Sequence, residues 1–243
     1  MLFILNYSFL DSALISFLDS GEVVFIERVI DGDTIVSNGT SIRLLGINSP
    51  EKGELYSSEA TEFLENFVLN KSVKLEITGK DRYYRDLGYV FVDGKNVNLE
   101  LVKNGYANFY FPSGKDAYYN DFLDAWERCL DAEVNLCGKS LNSCGTCVEL
   151  TEWDTREQRV VLENNCGVSC DLDGWTIKDE GRKKFVFGDF VLKDGAKVEV
   201  IVGDGKNNDK KLFWDGEKYV WTKSGDSIFL RDDQDGLVIW ETY

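Results

Sequence analysis

The stretch Val29-Ile30-Asp31-Gly32-Asp33-Thr34-Ile35, followed by Ile42-Arg43-Leu44-Leu45-Gly46-Ile47-Asn48-Ser49-Pro50-Glu51, decides the reading of the first half of the chain. β-branched residues fill both runs. Asp31-Gly32-Asp33 marks a tight turn, and Asn38-Gly39 is the strongest short hairpin signal a sequence can carry. Ser41 to Ile47 reads as the returning strand, stopped by Pro50. The hairpin and its exit loop gather two carboxylates, an arginine, an amide oxygen and a glutamate. A second arginine follows in Asp81-Arg82-Tyr83-Tyr84-Arg85-Asp86-Leu87. Oxygen donors suit a hard cation, two guanidinium forks suit a phosphate, and a free glutamate suits a water proton. The chain has no histidine, so acid–base chemistry falls to carboxylates, Tyr, Lys, Arg, Cys or metal-bound water.

Working outward, Val23 to Ile26 forms a strand before the hairpin. Ala60, Phe63, Leu64, Phe67 and Val68 follow i, i+3, i+4, i+7, i+8 spacing and predict a helix over 57–69. Ser57 or Ser58 is its expected cap. Val73 to Ile77 and Leu87 to Val92 are two more strands, the latter ending at Asp93-Gly94. Val97 to Lys103 predicts a short helix closed by Asn104-Gly105, and Asp116 to Glu133 a longer one. Five strands, one helix after the third and two helices at the end form the layout of an OB-fold barrel with three helices.

Residues 137–147 are rich in Cys, Ser, Asn and Gly and mark the boundary between two units. Beyond Val148 the pattern is strand and turn alone. Runs at 160–163, 172–177, 185–187, 197–202, 219–221, 227–230 and 237–241 are punctuated by Asp173-Gly174, Asp194-Gly195, Asp204-Gly205, Asp215-Gly216 and Asp235-Gly236. About seven short strands in about 95 residues without helical period indicate an Ig-like β-sandwich. The fold class is therefore mostly β, a barrel over 21–140 and a sandwich over 147–243.

The chain of 243 residues carries a formal charge of −16. Residues 21–143 hold 13 Lys and Arg against 20 Asp and Glu, and residues 144–243 hold 14 against 21. Two acidic halves argue against generic, charge-driven nucleic-acid binding, which requires a basic face. A nuclease of this composition needs a local basic site, a metal ion or both. Arg182-Lys183-Lys184 is the basic cluster of the second half and reads as a solvated turn. Tyr83, Tyr84, Tyr110, Tyr118 and Tyr119 include candidates for a base-stacking platform, although core and rim positions account better for most of them.

Six cysteines at 129, 137, 144, 147, 166 and 170 lie within 42 residues. An even, clustered set favours disulfides and an oxidising compartment. Structural zinc on Cys144, Cys147, Cys166 and Cys170 is the rival. Residues 1–20 lack Lys and Arg, and Asn6, Ser8 and Asp11 interrupt their apolar runs. They are too broken for a membrane span and lack a positive leading segment. They read either as an export segment or its remnant or as an N-terminal helix; the cysteines favour export, which places the protein outside the cell or at its surface.

Asp31-Gly32-Asp33-Thr34, Arg43 through Glu51, and Tyr83-Tyr84-Arg85 before the strand 87–92 resemble the staphylococcal-type thermonuclease family across about residues 21–140. The resemblance implies a calcium-dependent endonuclease on DNA and/or RNA that leaves 3′-phosphorylated products. By position it makes Asp33 a Ca2+ ligand, Asn48 a second ligand where the family has aspartate, and Ser49 a ligand through its backbone carbonyl. Arg43 and Arg85 match the phosphate-binding arginines, and Glu51 matches the general base. Asn48 removes one ligand charge, so a raised calcium requirement is expected. Val160 to Asn164, Asp171 to Glu180, Gly203-Asp204-Gly205, and Trp221 with 225–230 resemble the lamin-tail domain over about 147–243. That resemblance implies an accessory domain that binds substrate, a protein partner or the cell surface. Two other readings compete: a non-catalytic OB module binding nucleic acid or protein, and an envelope protein led by the sandwich.

Overall fold

The computed structural model describes residues 21–223 and 225–243; the expectation for residues 1–20 lies outside them. The first unit is a curled sheet with strand order β1 (Glu22–Phe25), β6 (Ser72–Lys80), β7 (Asp86–Val92), β4 (Thr40–Leu44), β3 (Thr34–Ser37) and β2 (Arg28–Asp31). The two edges of this list are consecutive in sequence, because only Ile26 and Glu27 separate β1 from β2. The backbone at this bend donates to both neighbours, Ile26 to Lys71 O and Glu27 to Val36 O. One bent segment thus belongs to both edges, which leaves five staves curled into a half-barrel. A short β8 (Lys95–Asn96) extends β7.

The Asn38-Gly39 turn has positive φ at both residues (49° and 71°), the conformation that fits a two-residue hairpin to strand twist. Asp93-Gly94 repeats it at 51° and 78°. Three helices follow the expected order: α1 (Ser57–Val68), α2 (Val97–Lys103) and α3 (Tyr119–Ala132). Helix α1 buries Ala60, Leu64 and Val68. Its cap differs from expectation: Tyr56 stands at the N-cap in the left-handed region without a side-chain bond, and Ser57 Oγ instead accepts from Gly53 N at 3.4 Å.

The expected single strand 41–47 is broken. Leu45 separates β4 from β5 (Gly46–Asn48), which leaves the barrel to pair with β9 (Asn108–Tyr110). Gly46 permits the bend. Its φ is +76°, and a Cβ there would lie 2.8 Å from the Phe122 ring.

The second unit packs the sheet β10 (Val148–Asp154), β11 (Arg159–Asn164), β16 (Lys197–Val202), β17 (Lys211–Trp214) against the sheet β14 (Lys184–Val186), β13 (Thr176–Asp179), β18 (Ser227–Arg231), β19 (Leu237–Thr242). A small β12 (Cys170–Asp171) and β15 (Val191–Leu192) pair joins them. Trp175, Trp221, Phe187 and Ile177 fill the space between. Residues 219–221 are loop rather than strand, fixed by Gln158, whose Oε1 accepts from Val220 N and Trp221 N. The strand β17 was not foreseen, since its parallel partner β16 lies across an Asp/Asn/Lys-rich loop.

All six cysteines are paired, as Cys129–Cys137, Cys144–Cys170 and Cys147–Cys166, so their sulfurs are not free thiolates for zinc. The two units share a packed seam. Phe229 and Leu237 of the sandwich belong to the barrel's core cluster, and Trp126 meets Phe229 and Trp240 edge-on at 5.8 and 6.1 Å. Buried Arg231 donates to Leu136 O at 2.7 Å.

Candidate active site

Asp33 lies in the turn between β2 and β3, buried and saturated with donors. Its Oδ2 accepts from Ser49 N and Ser49 Oγ, both at 2.9 Å, and its Oδ1 from Thr34 Oγ1 at 3.1 Å. The turn can come this close because residue 32 is glycine; a Cβ there would stand 2.7 Å from Ala60 Cβ and 2.8 Å from Ser49 Cβ. Asp31 Oδ1 accepts from Asp33 N at 3.1 Å. Burial and then the Asp33 charge raise the Asp31 carboxyl above its usual range.

Arg43 pairs with Thr34 across the hairpin, which aims its guanidinium at the turn. It is 7% exposed. Nη1 lies 2.9 Å from Asp33 Oδ2, and Nη2 donates to Asn48 Oδ1 at 3.1 Å. One guanidinium therefore bridges the two side-chain oxygens assigned to a metal. Asn48 arrives on β5, opposite Asn108. Ser49, also buried, locks the loop through Asp33.

Glu51 follows Pro50 on the exit loop. Its backbone N donates to Glu54 Oε2 at 2.9 Å, and its Oε1 lies 2.8 Å from Arg182 Nε in an ion pair. Lys184 and Lys178 reach Glu54 at 2.8 and 3.7 Å. The basic cluster read as a solvated turn thus stands at the rim of the site.

Arg85 is the assigned residue that the structure leaves aside. It precedes β7, which runs parallel to β4 with Leu87 opposite Arg43, so its backbone is near. Its side chain turns to Asp81, with Nε 2.7 Å from Oδ2, and lies 5.6 Å from the Tyr83 ring centroid. Tyr83 and Tyr84 beside it are exposed. Tyr119 is buried, and Tyr118 is tied to Glu76 Oε2 at 2.7 Å. Three of the five tyrosines are thus packed or partly packed, leaving the 83–84 pair as the aromatic surface.

The family model described as staphylococcal nuclease homologue matches residues 41–136. An uncharacterized endonuclease of Haemophilus influenzae is 30% identical over 138 residues, covering 55% of this chain and 73% of that protein. The chain belongs to the staphylococcal nuclease family. The thermonuclease of Staphylococcus intermedius is 35% identical over 128 residues, covering 48% of this chain and 76% of that one. Endonuclease YhcR of Bacillus subtilis is 38% identical over 123 residues, which cover 41% of this chain but 10% of that protein. The lamin tail domain model matches residues 143–243. This member of the nuclease family thus joins a barrel of the hydrolase type to a lamin tail domain. Sequence reasoning missed Thr34 as an orienting group, and Gly181 and Arg182 as neighbours of the site. The Arg-Lys-Lys run was their one visible signal.

Proposed function

We propose that the protein is a calcium-dependent endonuclease that hydrolyses phosphodiester bonds of DNA and/or RNA and leaves 3′-phosphorylated products. The observation that carries the reading is Arg43 bridging Asp33 Oδ2 and Asn48 Oδ1, one loop away from Glu51. A buried carboxylate and an amide oxygen converging on one positive group suit a hard cation. Asp33, Asn48 and the Ser49 carbonyl would hold calcium, which when bound supplies the charge that polarises a phosphoryl oxygen.

The chain's own residues do the rest. Glu51 takes the proton of the attacking water. Arg43 exchanges Asp33 and Asn48 for phosphate oxygens, and Arg85 leaves Asp81 to do the same. Two guanidinium forks then meet negative charge as it develops on the equatorial oxygens. In-line attack expels the 5′-oxygen. The exposed Tyr83 and Tyr84 give an adjoining base a face to stack on.

The three disulfides favour an oxidising setting, outside the cell or at its surface. Among the described residues no helix is long and apolar enough to cross a membrane. The lamin tail domain acts as the accessory binding unit, toward substrate, a protein partner or the cell surface. The test is cleavage of DNA and of RNA in calcium against chelator, with end-group analysis. Calcium-dependent products bearing 3′-phosphate support the reading; chelator-resistant cleavage or 5′-phosphate ends refute it.

A further inference from the structure

The turn between β13 and β14 belongs to the lamin tail domain, yet it reaches the nuclease loop through two contacts. Asn48 Nδ2 donates to Gly181 O at 2.8 Å, and Arg182 forms an ion pair with Glu51, Nε lying 2.8 Å from Oε1. The turn is anchored behind them: Lys183 N donates to Asp179 Oδ1 at 2.9 Å, and Glu180 N donates to Asp226 Oδ1 at 3.4 Å.

Asn48 is 2% exposed, so both ends of its amide need partners inside the protein. A guanidinium only donates, so Oδ1 must face Arg43 and Nδ2 must find an acceptor. The Gly181 carbonyl is that acceptor. A flipped amide would set NH2 against Arg43 and oxygen against oxygen, so the orientation follows from the network. Aspartate, the family's residue at this position, offers acceptors alone and would set one of them against Gly181 O. The amide at position 48 is matched to the lamin tail domain. The carbonyl touches the Nδ2 side, so it supports the amide and leaves Oδ1 to the site. That favours a supporting role for the turn over a lid.

We propose that the active site is composite: the lamin tail turn orients Asn48 through Gly181 O, and Arg182 is a positioning residue for Glu51. This rests on the nuclease reading above. Glu51 sits half-exposed on a loop, and an ion pair on one carboxylate oxygen restricts where the other can point. The lamin tail domain thereby gains a role in cleavage itself.

The test uses the full chain. In chelator, trypsin cleavage after Arg182 and Lys183 is followed for wild type, Asn48→Asp and Asn48→Ala. Both variants remove the donor to Gly181 O, and both are expected to speed cleavage there about tenfold as the turn undocks. In calcium, Arg182→Ala is expected to lower kcat for DNA cleavage about tenfold with little change in KM, and Arg182→Lys to recover part of it. Unchanged trypsin cleavage in both Asn48 variants overturns the docking. An Arg182→Ala enzyme as fast as wild type, or faster, overturns the positioning role and makes the turn indifferent or a lid. A wild type that does not cleave at all overturns the nuclease reading and the composite site with it, while the trypsin result still decides the docking.

Discussion

Two arginines of this molecule meet the same small site from opposite domains, and they differ in almost every physical respect. Arg43 comes from the barrel hairpin, is 7% exposed, and is held by Asp33 and Asn48. Arg182 comes from the lamin tail turn, has 62% of its side chain exposed, and pairs with a half-exposed Glu51. A buried pair is costly to break, because the abandoned charge stays in the protein; an exposed pair is not. The first arginine is therefore bound up with the fold of the site, while the second is free to act on function with little effect on stability.

The largest effect is expected of Arg43→Ala. It should destabilise the folded chain by about 3 kcal/mol in chelator, since Asp33 loses its buried partner. It should also cut cleavage at least about a hundredfold. Denaturant melts and initial rates check the two effects separately; a variant as stable as wild type would mean that Asp33 is not dependent on Arg43.

The next effect concerns the domain that carries Arg182. Cys144–Cys170 closes a loop of sequence separation 26 at the start of the sandwich. Replacing both cysteines with serine should cost about 3 kcal/mol by loop entropy. An unchanged urea midpoint would show that the seam with the barrel holds the sandwich unaided.

A smaller, pH-linked effect sits behind the Arg182 turn. Burial, and then the charge of Asp226, pushes the Asp179 carboxyl up to about 7 and the Glu180 carboxyl up to about 8. The folded chain thus holds protons that the unfolded chain releases above pH 4 to 5. Stability from these groups is full below that range and is lost as pH rises toward 7 and 8, by at most about 1.4 kcal/mol per pH unit for each group. The net charge of −16 adds repulsion of the same sign, so Glu180→Gln is the control. It should flatten the decline between pH 5 and 8; an unchanged slope would show that Glu180 has no part in the decline.

Smallest of all is the stability change in Arg182→Ala, expected below about 1 kcal/mol because the pair is exposed. A shift as large as that of Arg43→Ala would erase the distinction between the two arginines.

The same contrast explains what could be read from the sequence. Asp33, Arg43, Ser49 and Glu51 lie on one hairpin and its exit, where turn chemistry and strand period set the geometry over a few residues. The helices at 57–68 and 97–103 were legible for the same local reason. The break at Leu45 was not, because the need for Gly46 to bend arises from Phe122 and Phe111, far along the chain. Residues 219–221 resembled a strand because Val220 and Trp221 are buried, but Gln158 holds their backbone in a loop. Arg182-Lys183-Lys184 looked like an ordinary charged turn, since nothing local shows that it docks on Glu51 and Glu54. Asn48 was legible only as a departure from its family; its partner, Gly181, stands 133 residues away.

The proposed function turns on Glu51 as the base of a calcium-dependent phosphodiesterase site. Single-turnover cleavage of a DNA oligonucleotide in saturating calcium, wild type against Glu51→Gln, tests it most directly. A rate at least about a hundredfold lower in the variant, with the fold unchanged, is expected. A Glu51→Gln enzyme that cleaves as fast as wild type would contradict it.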